Sequence, residues 1–210
     1  MNKVFKKENK PWEESLKDKV IVISGSSSGL GENLSKYLLN LGSKLSLFSR
    51  NISSSSLVNK WYKKENILFD DVDTTKIDEV NLFINKTICK YGKIDCLINC
   101  AGSYGPMSPF IKTDPQKFTD TINTNLIGSF NTIHTCLPIF IKEKYGRIVQ
   151  LSGGGATSPL PYIYGYGASK AAVVRMIESL AFELEDIKNV DIKINAVAPG
   201  ALNTQMLDQV

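Results

Sequence analysis

The chain has 210 residues, 42% of them hydrophobic and 22% charged, which suits one soluble globular domain with a sizeable core. Its formal net charge of +4 is too mild to mark a dedicated polyanion binder, and no nucleic-acid partner is expected. Lys3, Lys6, Lys7, Lys10, Lys17 and Lys19 do crowd the N-terminus; residues 1–18 read as a basic arm, either a solvated tail or a nucleic-acid contact.

No apolar run approaches the roughly 18 residues of a membrane span, and the N-terminus lacks the apolar centre of a secretory leader. Cys89, Cys96, Cys100 and Cys136 form no CxxC pair, and the single histidine, His134, has no visible partner. No metal site is expected; reduced thiols and a cytoplasmic location are.

In chain order, Lys19 to Ser24 is a β-branched run and predicts a buried strand. Gly25, Gly29 and Gly31 follow at once, and residues 32–41 show helical spacing. Strand, glycine turn and helix is the context in which this spacing lets a backbone approach a pyrophosphate. Ser27, Ser28 and Leu30 belong to the same turn. The competing reading is a plain tight turn. Gly42 closes the helix, and Lys44 to Phe48 predicts a second strand. An acidic residue just past that strand would hold a ribose and repel a 2′-phosphate; Ser49 and Arg50 stand there instead. A guanidinium suits a phosphate, so NADP(H) is favoured and NAD(H) remains possible. An arginine merely facing solvent is the alternative.

A serine-rich loop leads to a short segment around Leu57 and Trp61. Asn66 to Asp70 predicts a third strand, with Asp71 and Val72 just beyond it. Residues 77–91 carry an apolar helical stripe closed by Gly92. Ile94 to Ile98 predicts a fourth strand, broken by Asn99, Cys100, Ala101 and Gly102, and residues 103–115 are loop. Gln116 to Lys142 predicts one long helix, with Asn125 an unfavourable interior residue. Gly146 to Ser152 predicts a fifth strand, followed by three glycines and a loop to Gly165. Ala168 to Leu184 predicts a helix. Val190 to Ala196 predicts a sixth strand, ahead of Pro199 and Gly200.

Short apolar strands alternating with helices predict an α/β fold, a doubly wound parallel sheet in three layers. The glycine turn, Arg50, Asp71, Asn99–Gly102, Ser152 and Pro199–Gly200 all fall just after strands. They should therefore converge on one edge of the sheet. Tyr166 and Lys170 lie four residues apart, on one face of a helix. A cation beside the phenol lowers its pKa and makes it a usable general acid or base. The spacing alone is common, so its company carries the argument.

Taken together, these residues resemble the short-chain dehydrogenase/reductase family, from about Leu16 to the end. The glycine motif is Ser24–Gly31, the next is Asn99–Gly102, the helix asparagine is Asn125, the Tyr-Lys pair is Tyr166 and Lys170, and the last is Pro199–Thr204. The resemblance implies a Rossmann fold of the short single-domain type. It implies that Tyr166 exchanges a proton with the substrate oxygen, that Lys170 lowers its pKa and holds the nicotinamide ribose, that Ser152 bonds the substrate oxygen, and that Asn125 holds a relay water. Gly25, Ser27, Ser28, Gly29, Leu30, Gly31, Arg50, Asp71, Val72, Asn99, Ala101, Gly102, Pro199, Gly200 and Thr204 would bind the cofactor, with Tyr166 and Lys170.

This sequence departs from the family pattern in places. Cys100 replaces an asparagine. Gly153 stands where a second serine is common, and Ser152 lies fourteen residues before Tyr166, one more than is usual. Tyr162 and Tyr164 are placed at the substrate mouth. The family continues beyond a point such as Val210, so a last strand and a substrate lid are expected to be lacking. The resemblance implies an oxidoreductase acting on a small carbonyl or secondary alcohol, and a homodimer or homotetramer. A dinucleotide-binding redox sensor without catalysis is the alternative.

Overall fold

The structure, a computed structural model, describes residues 11–55, 65–200 and 202. Six strands form one sheet in the order β3-β2-β1-β4-β5-β6, and every neighbouring pair is parallel. They are β1 Val20–Ser24, β2 Lys44–Ser49, β3 Ile67–Asp71, β4 Cys96–Asn99, β5 Tyr145–Leu151 and β6 Asp191–Val197. The long helices are α2 Gly29–Asn40, α3 Ile77–Tyr91, α5 Gly128–Glu143 and α6 Tyr164–Glu185, with a short α1 Pro11–Glu14 and α4 Pro115–Ile122.

Alternation along β1 divides the core. Val22 joins a cluster with Phe83 and Ile84 of α3, Ile133 and Phe140 of α5, and Val173 and Ile177 of α6. Ile21 and Ile23 join the opposite cluster with Leu38 and Leu39 of α2. Apolar layers on both faces explain why the strands are apolar throughout, not alternating. This is the doubly wound three-layer arrangement that the sequence predicts.

Three details differ from the sequence expectations. Residues 11–18 do not stand off as an arm: Leu16 packs on the α2-side cluster, and Tyr37 donates to the Glu13 carboxylate at 2.7 Å. Residues 1–10, and the segment around Leu57 and Trp61, lie outside the described residues. The long helix of residues 116–142 is divided by a π-helical turn, Asn123–Ile127, a device that widens a helix locally and often marks a functional position. Helix α6 begins at Tyr164, four residues before the predicted start.

Candidate active site

The loops at the carboxyl edge of the sheet enclose one cleft of about 590 Å³. After β1 the chain turns through Gly25 at φ +66°. A Cβ there would stand 2.5 Å from the Ala101 nitrogen, so only glycine lets this turn press against the loop after β4. The turn enters α2 directly, and its cap Ser28 makes no side-chain capping bond. Ser27 to Gly31 line the cleft, so the first-turn amides of α2 offer an anion site there. Asn99, by contrast, stays behind the wall. Its Oδ1 accepts from the Ser24 hydroxyl at 3.1 Å and its Nδ2 donates to Gln150 Oε1 at 3.0 Å. It ties β1, β4 and β5 together and leaves the lining to Cys100, Ala101 and Gly102.

Ser49, Arg50 and Asn51 line the cleft where β2 ends, and Val72 lines it after β3. The Ser49 hydroxyl is buried with no hydrogen-bond partner. Asp71 is not in the lining, contrary to expectation. It is paired in register with Ser49 as the last residue of β3, and its carboxylate accepts the Ser53 N–H at 2.9 Å. The pleat alternates sides residue by residue, so Val72, not Asp71, meets the cleft.

Helix α6 brings Tyr166 and Lys170 one turn apart to the other half of the cleft. Tyr166 is 8% exposed and Lys170 is 4% exposed. The Lys170 ammonium donates to the Leu151 carbonyl at 2.9 Å and lies 5.7 Å from the Tyr166 ring centre. Burial pushes the Lys170 pKa down to about 8. Burial also pushes the Tyr166 phenol up, and Tyr104 adds to the rise. The expected lowering of the phenol by Lys170 is therefore not what this arrangement produces: burial first, and then Tyr104, raise it.

The buried ammonium also costs stability. Below about pH 8 the folded chain must carry it; above 10.5 both folded and unfolded chains are neutral there, and the penalty is gone. The gap from 10.5 to about 8 is worth about 3 kcal/mol at 1.36 kcal/mol per unit. Lys170→Met also loses a hydrogen bond of about 1 kcal/mol. It should therefore stabilise the fold by about 2 kcal/mol at pH 7. The advantage should shrink as pH rises from 8 towards 10.5, and denaturant melts across that range would show it.

Ser152 follows β5, lines the cleft and has a buried hydroxyl with no partner. Gly153 is the residue under the phenol: a Cβ built on it would overlap the Tyr166 hydroxyl. Asn125 lies in the π-helical turn, fully buried. Its Oδ1 accepts Ser103 N–H at 2.8 Å, and its Nδ2 donates to the Ser103 carbonyl and to Ser169 Oγ, both at 2.9 Å. Both amide protons are taken, so the side chain clamps the loop after β4 and has none left for a relay water. Pro199 and Gly200 line the cleft; Thr204 lies outside the described residues.

Tyr162 and Tyr164 do not line the cleft as expected; Ile163 between them does. Tyr162 sits at φ +72° and is exposed, and Tyr164 stacks edge-on against Phe110. The sequence reading missed Tyr104 and Leu160, which do line it. Tyr104 lies two residues past Gly102, and that position was its only signal.

The short chain dehydrogenase family profile matches residues 19–210. The chain belongs to the short chain dehydrogenase family. It is 33% identical over 196 residues to an uncharacterized oxidoreductase of Staphylococcus saprophyticus, across 93% of this chain and 79% of the relative. It is also 33% identical to 11-beta-hydroxysteroid dehydrogenase-like 3 of Arabidopsis thaliana, across 92% and 62% of the two chains.

Among solved structures, ElxO with NADP bound superposes with a TM-score of 0.83 at 31% identity, over 91% of this chain and 77% of that one. The 3-ketoacyl-(acyl-carrier-protein) reductase from Brucella melitensis complexed with NADH gives 0.83 at 26%, over 92% and 80%. As a short chain dehydrogenase, the chain is a Rossmann-fold oxidoreductase with a nicotinamide cofactor site. The residues present fit that group: the bare backbone of Gly25 pressed against the backbone of Cys100 and Ala101 makes a flat cradle, and helix amides without a side-chain cap adjoin it.

Proposed function

We propose that this chain is an NADP(H)-preferring oxidoreductase that reduces a small carbonyl compound, or oxidises the matching secondary alcohol. The observation that carries this reading is Tyr166 and Lys170 buried on one face of α6, in the same cleft as the uncapped amides of α2. The Tyr166 hydroxyl donates its proton to the substrate oxygen during reduction and takes it back during oxidation. The Ser152 hydroxyl, otherwise without a partner, donates to the same oxygen and stabilises its developing charge. The Lys170 ammonium keeps the local potential positive and meets the ribose. The bound nicotinamide supplies the hydride.

Arg50 and the partnerless Ser49 hydroxyl at the end of β2 support the NADP(H) preference, since among the described residues no carboxylate lines the cleft directly after that strand, where it would repel a 2′-phosphate. Arg50→Ala should weaken NADPH binding by about tenfold or more, the worth of one charge-assisted contact at 1.4 kcal/mol per decade. NADH binding should hardly change. Titration followed by nicotinamide emission tests this, and equal losses for both cofactors would remove Arg50 from the 2′-phosphate site. Assembly into two or four copies and a cytoplasmic setting belong to the same reading. Exposed Ile127 and Phe130 on the π-turn and α5, and Phe182 on α6, support the first; four unpaired cysteines support the second.

A further inference from the structure

We propose that Tyr104 selects the substrate, and that the substrate is an uncharged compound whose reacting carbon adjoins a flat apolar ring; this rests on the oxidoreductase reading above. The cleft is divided in charge by the strand order. Arg50 and Asp73 follow β2 and β3 on one side of β1. Beyond β4 and β5, on the other side, the lining around Tyr166 is Tyr104, Gly153, Leu160 and Ile163. The ammonium of Lys170 is the only charge among the described residues of that half, and it is engaged by the Leu151 carbonyl. A carboxylate or phosphate placed there would lose its water and find only that one ammonium, shared with the Leu151 carbonyl and the ribose, a cost of several kcal/mol. An uncharged ring would lose nothing and gain apolar contact.

Tyr104 is built into this wall. Its ring meets that of Tyr166 edge-on, with centres 4.7 Å apart and planes at 61°. The residue before it, Ser103, is clamped through both its N–H and its carbonyl by Asn125. That clamp fixes the backbone from which the Tyr104 ring joins the cleft lining, where a flat partner can meet it beside the proton donor. Gly153, against the Tyr166 hydroxyl, presents bare backbone to the same cleft. The loop that carries Tyr104 continues the apolar character: Met107 and Phe110 are exposed on it. That loop is joined to the Tyr166 side by the Ser108 N–H donating to the Tyr162 carbonyl at 3.0 Å.

The test uses the full chain with NADPH, a set of aryl and cyclic ketones, and straight-chain 2-keto acids of matching carbon count. The expected result is turnover of the ring ketones with kcat/KM at least about tenfold above the keto acids, the discrimination one well-matched apolar contact supplies. Tyr104→Ala should raise KM for the ring ketones by about tenfold with a smaller change in kcat, leaving NADPH affinity unaltered. Tyr104→Phe should keep the preference, which separates loss of the ring from loss of the fold.

Calorimetric binding of the corresponding ring alcohols to the enzyme with NADPH, a pair that cannot exchange hydride, gives a second readout that needs no turnover. Preference for the keto acids, or ring selectivity unchanged in Tyr104→Ala, overturns the proposal and leaves the oxidoreductase reading standing. So does the absence of both turnover and binding for every ring compound while NADPH still binds. Failure of NADPH itself to bind overturns both.

Discussion

Tyr166→Phe is expected to lower turnover by about 10²–10⁴-fold, the range of a lost general acid, while cofactor binding and stability stay close to those of the parent. The substitution removes one oxygen and nothing else. The ring keeps its edge contact with Tyr104 and its place in α6, and the hydroxyl makes no hydrogen bond among the described residues. No structural role therefore hides behind the catalytic one, and the measured loss would be that of the proton donor. The pH dependence has a definite sign. Burial holds the phenol above its ordinary value of 10.0, so the donor stays protonated through the neutral range. Reduction should not fall through loss of that proton until the solution is more alkaline than this. Oxidation needs the phenolate and should climb as pH rises. Stopped-flow nicotinamide absorbance in both directions, with variant and parent, would show it. Activity retained within about threefold in the variant would show that the proton comes from elsewhere.

The parts of this arrangement that were legible in the sequence are those with local causes. The apolar stripe of residues 77–91 ends at Gly92, and α3 runs over the same residues. The glycine turn after β1 announces itself by its flanks. What was not legible depends on contacts between distant segments. Gly165 and Gly167 are poor helix formers, so spacing alone started the last long helix at Ala168. In the structure Gly165 packs against Thr121 and Phe118 of α4, where a larger residue would crowd, and that packing sustains the helix back to Tyr164.

Asp71 looked like a cofactor ligand because it follows a strand. The strand runs one residue further along, Ile67–Asp71 in place of Asn66 to Asp70, so Asp71 is its last member and stays out of the lining. Tyr104 lies more than sixty residues before Tyr166, so no spacing rule pairs them; their meeting depends on β4 and α6 sharing one edge. The direction of the Tyr166 shift also escaped, because a sequence shows the neighbouring lysine but not the burial that raises the phenol.

Gly153 carries the second large expectation, and it runs against what the family pattern suggests. A serine at this position looks like a repair, since it would add a hydroxyl beside Tyr166. The geometry gives the opposite result. A Cβ on Gly153 would overlap the phenol oxygen and stand 2.9 Å from the ring carbon that bears it, well inside ordinary contact. Either the backbone after β5 or the phenol must move by about 1 Å, and a displacement of that size at a reacting group costs about 10²-fold in rate.

Both Gly153→Ala and Gly153→Ser should therefore lose about two decades of kcat, the serine faring no better than the alanine. Cofactor affinity should change little, because Gly25–Gly31 and Arg50 lie on the far side of the sheet's centre. A serine variant as active as the parent would show that the loop yields easily and that the phenol's position is not set by this glycine. A loss shared equally by both variants would locate the constraint in the Cβ itself. The second donor to the substrate oxygen would then have to come from Ser152, whose hydroxyl is otherwise buried without a partner.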